Sequence, residues 1–159
     1  MAVSRSRVPS SPPSRNRRVW ADASFDEKSV WIQLASVVVG LGAYFVVAGR
    51  MLFDGIDVLA AYMPLFAVAV VLIVAVNVAG HTVAAIASRP EGRDERDRLI
   101  TWRAESNSSW ILGVGAIVAI IGLIAPIGEV WVAHLLLLSL FAAEVAKDVN
   151  QLVYYRRGV

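Results

Sequence analysis

Apolar residues in this chain gather into four long runs, at 30–53, 62–87, 108–127 and 130–153, and charge is confined almost wholly to the gaps between them. A helix needs ~20 apolar residues to cross ~30 Å of hydrocarbon, and every run is near or above that length. A helix of a soluble bundle would show an apolar stripe and a polar face. These runs are apolar nearly all round. The pattern predicts an all-α, integral membrane four-helix bundle.

Local signals place the ends of the helices. Ser24-Phe25-Asp26-Glu27 reads as a capping box, in which the Ser hydroxyl and the Glu carboxylate satisfy free backbone N–H groups. Phe53-Asp54-Gly55 ends the first span, and Pro64 suits the first turn of the second, where its missing N–H costs little. Ser88-Arg89-Pro90-Glu91-Gly92 is a strong breaker. Asp94-Glu95-Arg96-Asp97-Arg98 then opens a helix with acids at the positive end of its dipole. Leu99, Ile100 and Trp102 among Arg98, Arg103 and Glu105 predict an amphipathic segment in the headgroup region before span three. That makes 88–107 an amphipathic connector. Ala125-Pro126-Ile127-Gly128 is the tight turn into span four.

Composition narrows the picture further. Of 159 residues, 57% are hydrophobic and 18% charged, against ~45–50% and ~25% in soluble domains. Residues 24–159 suffice for one four-helix transmembrane domain. Residues 1–23, rich in Ser, Pro and Arg, cannot build a core and are expected to form a disordered basic tail. There is no cysteine, which removes disulfides, thiolate metal sites and cysteine nucleophiles. A net charge of +2 gives no reason to expect nucleic acid binding.

Arginine placement predicts orientation. Arg5, Arg7, Arg15, Arg17 and Arg18 lie in the tail, Arg89, Arg93, Arg96, Arg98 and Arg103 in the connector, and Arg156 and Arg157 at the C-terminus. The other two loops hold Asp54, Asp57 and Glu129, with only Arg50 nearby. The positive-inside rule puts both termini and the connector in the cytoplasm. Trp31, Trp102, Tyr154, Tyr155, Arg156 and Arg157 are the expected interface anchors.

The halves carry a faint similarity. Asp26-Glu27-Lys28 recurs as Asp94-Glu95-Arg96, and Asn77-Val78-Ala79 as Glu144-Val145-Ala146. Such spacing fits two parallel helical hairpin repeats about an axis along the membrane normal. The plain alternative is that any two hairpins starting in the cytoplasm acquire similar flanks.

Polar residues inside the spans are the functional candidates, because a mid-bilayer charge costs at least ~2.5–3.5 kcal/mol. Span four carries Glu144, Lys147, Asp148 and Gln151, on one helical face at i, i+3, i+4 and i+7. Span two carries Asn77, His81 and Ser88, and Glu105, Asn107 and Ser109 sit where span three begins. All three groups belong to the same end of the bundle and are expected to converge there as an intramembrane polar cluster. At helical rise, Glu144 lies ~18 Å from Arg156 and His81 ~12 Å from Arg89. Lys147 can neutralise Glu144 at i+3. His134 lies roughly 20 Å in level from His81, so the two cannot share one haem iron.

Three uses of this cluster are open. It can be a structural clasp, with Asn77, His81 and Glu144 hydrogen-bonding between helices. It can be a proton or cation relay through His81, Glu144 and Asp148. It can be a metal site, although HxxxH and HExxH spacings are missing. Gly40-x-Gly42 and Gly113-x-Gly115 lie inside apolar runs and are not nucleotide loops. Ala75, Ala79, Gly80, Ala84, Gly113 and Gly122 are expected to permit close helix packing and self-association, as in a homodimer.

The segment Asp94-Glu95-Arg96-Asp97-Arg98-Leu99-Ile100, with the later Ala143-Glu144-Val145-Ala146-Lys147-Asp148 closing on Tyr155-Arg156-Arg157-Gly158, resembles a group of small bacterial membrane proteins. The resemblance covers roughly residues 90–159. It implies a bacterial inner (plasma) membrane and carries over no activity. The expectation is a non-enzymatic inner-membrane protein, a structural or regulatory module with the lipid bilayer as its partner and no cofactor. The alternative is a small proton- or cation-coupled transporter using Glu144, Asp148 and His81. A membrane-embedded metal enzyme is a third, weaker reading.

Overall fold

The computed structural model describes residues 25–87 and 95–157. The expected tail, the Ser24 end of the capping box and the 88–92 breaker lie outside the described residues. Four helices account for nearly all the rest: α1 (Phe25–Phe53), α2 (Met63–Ala87), α3 (Glu95–Ile124) and α4 (Glu129–Arg157). All four are long and apolar enough to cross a membrane. The fold is an all-α four-helix bundle, and the protein is a multi-pass membrane protein.

The turns follow from local chemistry. Gly55 adopts φ +77°, the left-handed conformation that costs a glycine little. The Gly55 N–H donates to Leu52 O at 3.1 Å and the Ile56 N–H to Met51 O at 3.0 Å. This Schellman pattern satisfies the last carbonyls of α1. A 3-10 turn, Leu59–Tyr62, leads directly into α2, with Pro64 in its first turn. Between α3 and α4 the Ile127 N–H donates to Gly122 O at 3.0 Å, and Gly128 O accepts from Trp131 N–H at 2.9 Å.

The helix expected to open at Asp94–Arg98 runs directly into span three. Glu95–Ile124 is one uninterrupted helix of 30 residues. Ile100, Ala104 and Ser108 are buried in line with Gly115, Ala119 and Gly122. The amphipathic stretch therefore packs within the bundle as the first turns of α3. Its i, i+4 spacing continues the stripe of the span itself, so the helix keeps one buried face throughout.

Packing joins α1 to α2, α3 to α4, and the two hairpins through α1 and α4. The order of neighbours is thus α2–α1–α4–α3. A parallel two-fold repeat would exchange α1 with α3 and α2 with α4, and so would require α2 to meet α3 as α1 meets α4. That pairing is not among the principal packings. The outer helices α2 and α3 instead leave valines and isoleucines such as Val68, Val71, Val78, Ile117 and Ile120 exposed. In a bilayer these side chains face hydrocarbon.

Small residues set the interhelical contacts, though not always those expected. A Cβ at Gly80 would strike Ile32 and one at Gly115 would strike Ser139, so these two positions admit only glycine at the present spacing. Ala84 is buried, and Gly122 lies against Val132. Gly113 faces open space, and Ala75 and Ala79 are exposed. Residues 113 and 115 are two apart on a helix, so only one of them can face α4.

Candidate functional site

The predicted polar residues do not form one cluster. They divide according to the helix pairs. On α1 and α2, Asn77 Nδ2 donates to Ser36 Oγ at 2.5 Å and to Ile73 O at 3.1 Å. Ser36 is fully buried and its hydroxyl donates to Gln33 O at 2.8 Å. His81, on the same helix, is half-buried and joins neither this pair nor the carboxylates of α4. No principal packing brings α2 against α4. Among the described residues His81 makes no hydrogen bond or ion pair with Glu144 or Asp148.

On α3 and α4 the split is rotational. Asn107 Nδ2 donates to Tyr154 Oη at 2.6 Å. Glu105, two residues earlier, turns to the other side and lines a polar vestibule. Two residues along a helix rotate a side chain by about 200°, so Glu105 and Asn107 cannot serve one site. Ser109 donates to Ser106 O and is exposed. Trp31 packs beneath the Arg156 guanidinium, 5.9 Å from its ring centroid, while Trp102 and Arg157 are exposed.

The vestibule is a cavity of about 260 Å³ where the starts of α1 and α3 and the end of α4 converge. Ser29 and Gln33 of α1 and Thr101 and Glu105 of α3 form two walls. Lys147, Gln151 and Tyr155, successive turns of one α4 face, form the third. Lys147 is ion-paired with Glu144. Asp148 is the exception to this pairing. It is 0% exposed, and neither carboxylate oxygen has a hydrogen-bond partner. Among the described residues, no three His, Asp or Glu side chains come together as metal donors.

The opposite end, near the two hairpin turns, holds a site that the sequence reading passed over. His134 Nδ1 bonds Val130 O at 2.7 Å, and Nε2 lies 3.0 Å from Tyr44 Oη. A carbonyl only accepts, so Nδ1 carries a hydrogen, and in the neutral ring Nε2 accepts from the Tyr44 hydroxyl. Tyr62 meets the imidazole edge-on at a centroid distance of 4.6 Å, and its hydroxyl donates to Ile56 O at 2.7 Å. Tyr44, Tyr62 and His134 are all buried. A signal existed in the sequence: Tyr44 and His134 are polar-tipped rings in apolar spans and need partners. Beside this knot an apolar cleft of about 500 Å³ opens between α2 and α4, walled by Met63, Phe66, Leu136 and Leu140, with Leu112 of α3 at its edge.

Comparison of the chain with protein-family models, with curated proteins and with solved structures finds no match.

Proposed function

We propose that this is a non-enzymatic module of the bacterial inner membrane, structural or regulatory, with both termini and the connector in the cytoplasm. One observation carries the reading. Each of the three principal helix packings holds a side-chain hydrogen bond between helices: Asn77–Ser36 for α1 and α2, His134–Tyr44 for α1 and α4, Asn107–Tyr154 for α3 and α4. In hydrocarbon such bonds fix which helices meet and in what register, at about 0.6–1.7 kcal/mol each. Polar groups used in separate pairs are a means of holding the bundle. The arginine-rich connector supplies a charged surface for partners or anionic lipid, and self-association through small-residue faces belongs to the same proposal.

The test is reconstitution. Purified protein in liposomes should show no pH- or cation-driven flux, and Asn77→Ala should lower thermal stability alone. Flux that a folded Glu144→Gln variant abolishes would overturn the proposal in favour of a small proton- or cation-coupled transporter. One observation favours that second reading, namely the buried, unpartnered carboxylate of Asp148.

A further inference from the structure

The walls of the vestibule carry polar side chains that the protein itself leaves unanswered. Gln151 is 6% exposed and lines the cavity, yet its amide makes no hydrogen bond among the described residues. The amides of Asn77 and Asn107, elsewhere in the bundle, each have a partner on another helix. A buried polar group is left unpaired by its own protein chiefly where water, an ion or another ligand answers it. Gln151 does not stand alone. Thr101 on the α3 wall and Gln33 on the α1 wall are half-buried, and their side chains also hold no hydrogen bond among the described residues.

Both signs of charge reach this cavity, from different helices. Glu105 of α3 lines it, and its carboxylate has no ion pair or hydrogen bond among the described residues. Lys147 of α4 lines it too. Glu144 engages one of its three N–H donors, which leaves two for an incoming group. An ion of a single sign meets attraction from one wall and repulsion from another. A molecule that carries both charges is attracted by each. The amides and hydroxyls between them both donate and accept, so they complement either end of such a molecule.

Size and level agree with this chemistry. The α4 wall runs from Lys147 to Tyr155, ~12 Å at helical rise. Its outer end adjoins Arg156 and Arg157, the expected headgroup level. A cavity of about 260 Å³ is below the ~300–1,000 Å³ of sites for drug-sized ligands.

We infer that the vestibule binds a small zwitterion with a primary ammonium. The ammonium donates to Glu105, and the anionic group accepts from Lys147 and Gln151. A primary ammonium brings three N–H donors to a carboxylate flanked by amide and hydroxyl oxygens, whereas a quaternary ammonium brings none. The phosphoethanolamine headgroup of a lipid and a free amino acid share this chemistry. The inference concerns binding at equilibrium, so it holds or fails separately from any question of flux.

The experiment is thermal unfolding of the full chain in detergent. Glycine and phosphoethanolamine are titrated in solution and phosphatidylethanolamine in the micelle, each against its N-trimethyl counterpart. A ligand that binds the folded state raises the midpoint progressively with its concentration. The wild type should respond to at least one primary ammonium and not to its trimethyl counterpart. A response to the free molecules identifies a water-borne ligand, and a response to the lipid alone identifies a headgroup. Glu105 is exposed, so Glu105→Gln removes the charge without disturbing the packed core. It should weaken the apparent affinity about tenfold or more, the loss expected for a hydrogen bond to a charged group. Asn77→Ala, on another helix pair, should leave the affinity unchanged. A midpoint that ignores every probe, an equal response to the trimethyl compounds, an affinity undiminished in Glu105→Gln, or equal weakening in Asn77→Ala would each overturn the inference.

Discussion

The two ends of the bundle handle buried polarity in opposite ways. At the turn end, Tyr44, Tyr62 and His134 are buried together and every ring heteroatom has a partner. At the other end, Asp148 is buried as deeply, yet neither of its oxygens has a hydrogen-bond partner. A satisfied buried network rigidifies a core, whereas an unsatisfied one stores cost. The contrast separates a satisfied polar hub from a buried carboxylate that has no partner.

The largest expected effect comes at the turn end. His134→Ala removes a hydrogen bond and two ring contacts, and should lower stability by about 3 kcal/mol, in the range of aromatic truncations in packed cores. Denaturant unfolding in detergent would measure it, and a loss near zero would mean the knot is not a hub. Gly115→Val should cost about 1–3 kcal/mol through its clash with Ser139, while Gly113→Val should be nearly neutral. Equal effects at the two positions would show that the α3–α4 contact is misplaced. Asp148→Leu should act in the opposite direction to His134→Ala. It should stabilise by about 1–3 kcal/mol, because a desolvated group without partners is removed. A destabilisation instead would show that Asp148 has a protein partner in the membrane. Smallest of all, His81→Ala should change stability by less than about 0.5 kcal/mol, since the imidazole holds no hydrogen bond within the described residues. A loss comparable to that of Asn77→Ala would restore His81 to the clasp.

Much of the architecture was legible before any coordinates. The run at 62–87 predicts α2 closely, and Phe53-Asp54-Gly55 and Ala125–Gly128 mark the turns that form. The Glu144–Lys147 pair was also legible, because partners three apart on one helix meet whatever the neighbours do. Contacts between helices were not. Asn77 meets Ser36 across 41 positions, and Ser36 carries no mark that distinguishes it from Ser29 or Ser88. The convergence expected of Asn77, His81, Glu105 and Glu144 required α2 to lie beside α4, and periodicity along one helix says nothing about which helix stands next to it. The start of α3 was legible from the acids at 94–97, whereas the burial of Ile100 and Ala104 among those charges depended on the neighbouring helices.

Length and apolarity alone commit this chain to four membrane-crossing helices, because a backbone in hydrocarbon must bond to itself and the helix is the local way of doing so. Periodicity also determines which residues share a side of each helix. The rotation and adjacency of those helices were settled by packing: glycines such as Gly80 and Gly115 that let backbones approach, and hydrogen bonds worth about a kilocalorie apiece. Those small, non-local energies put His134 among its partners and left Asp148 without any.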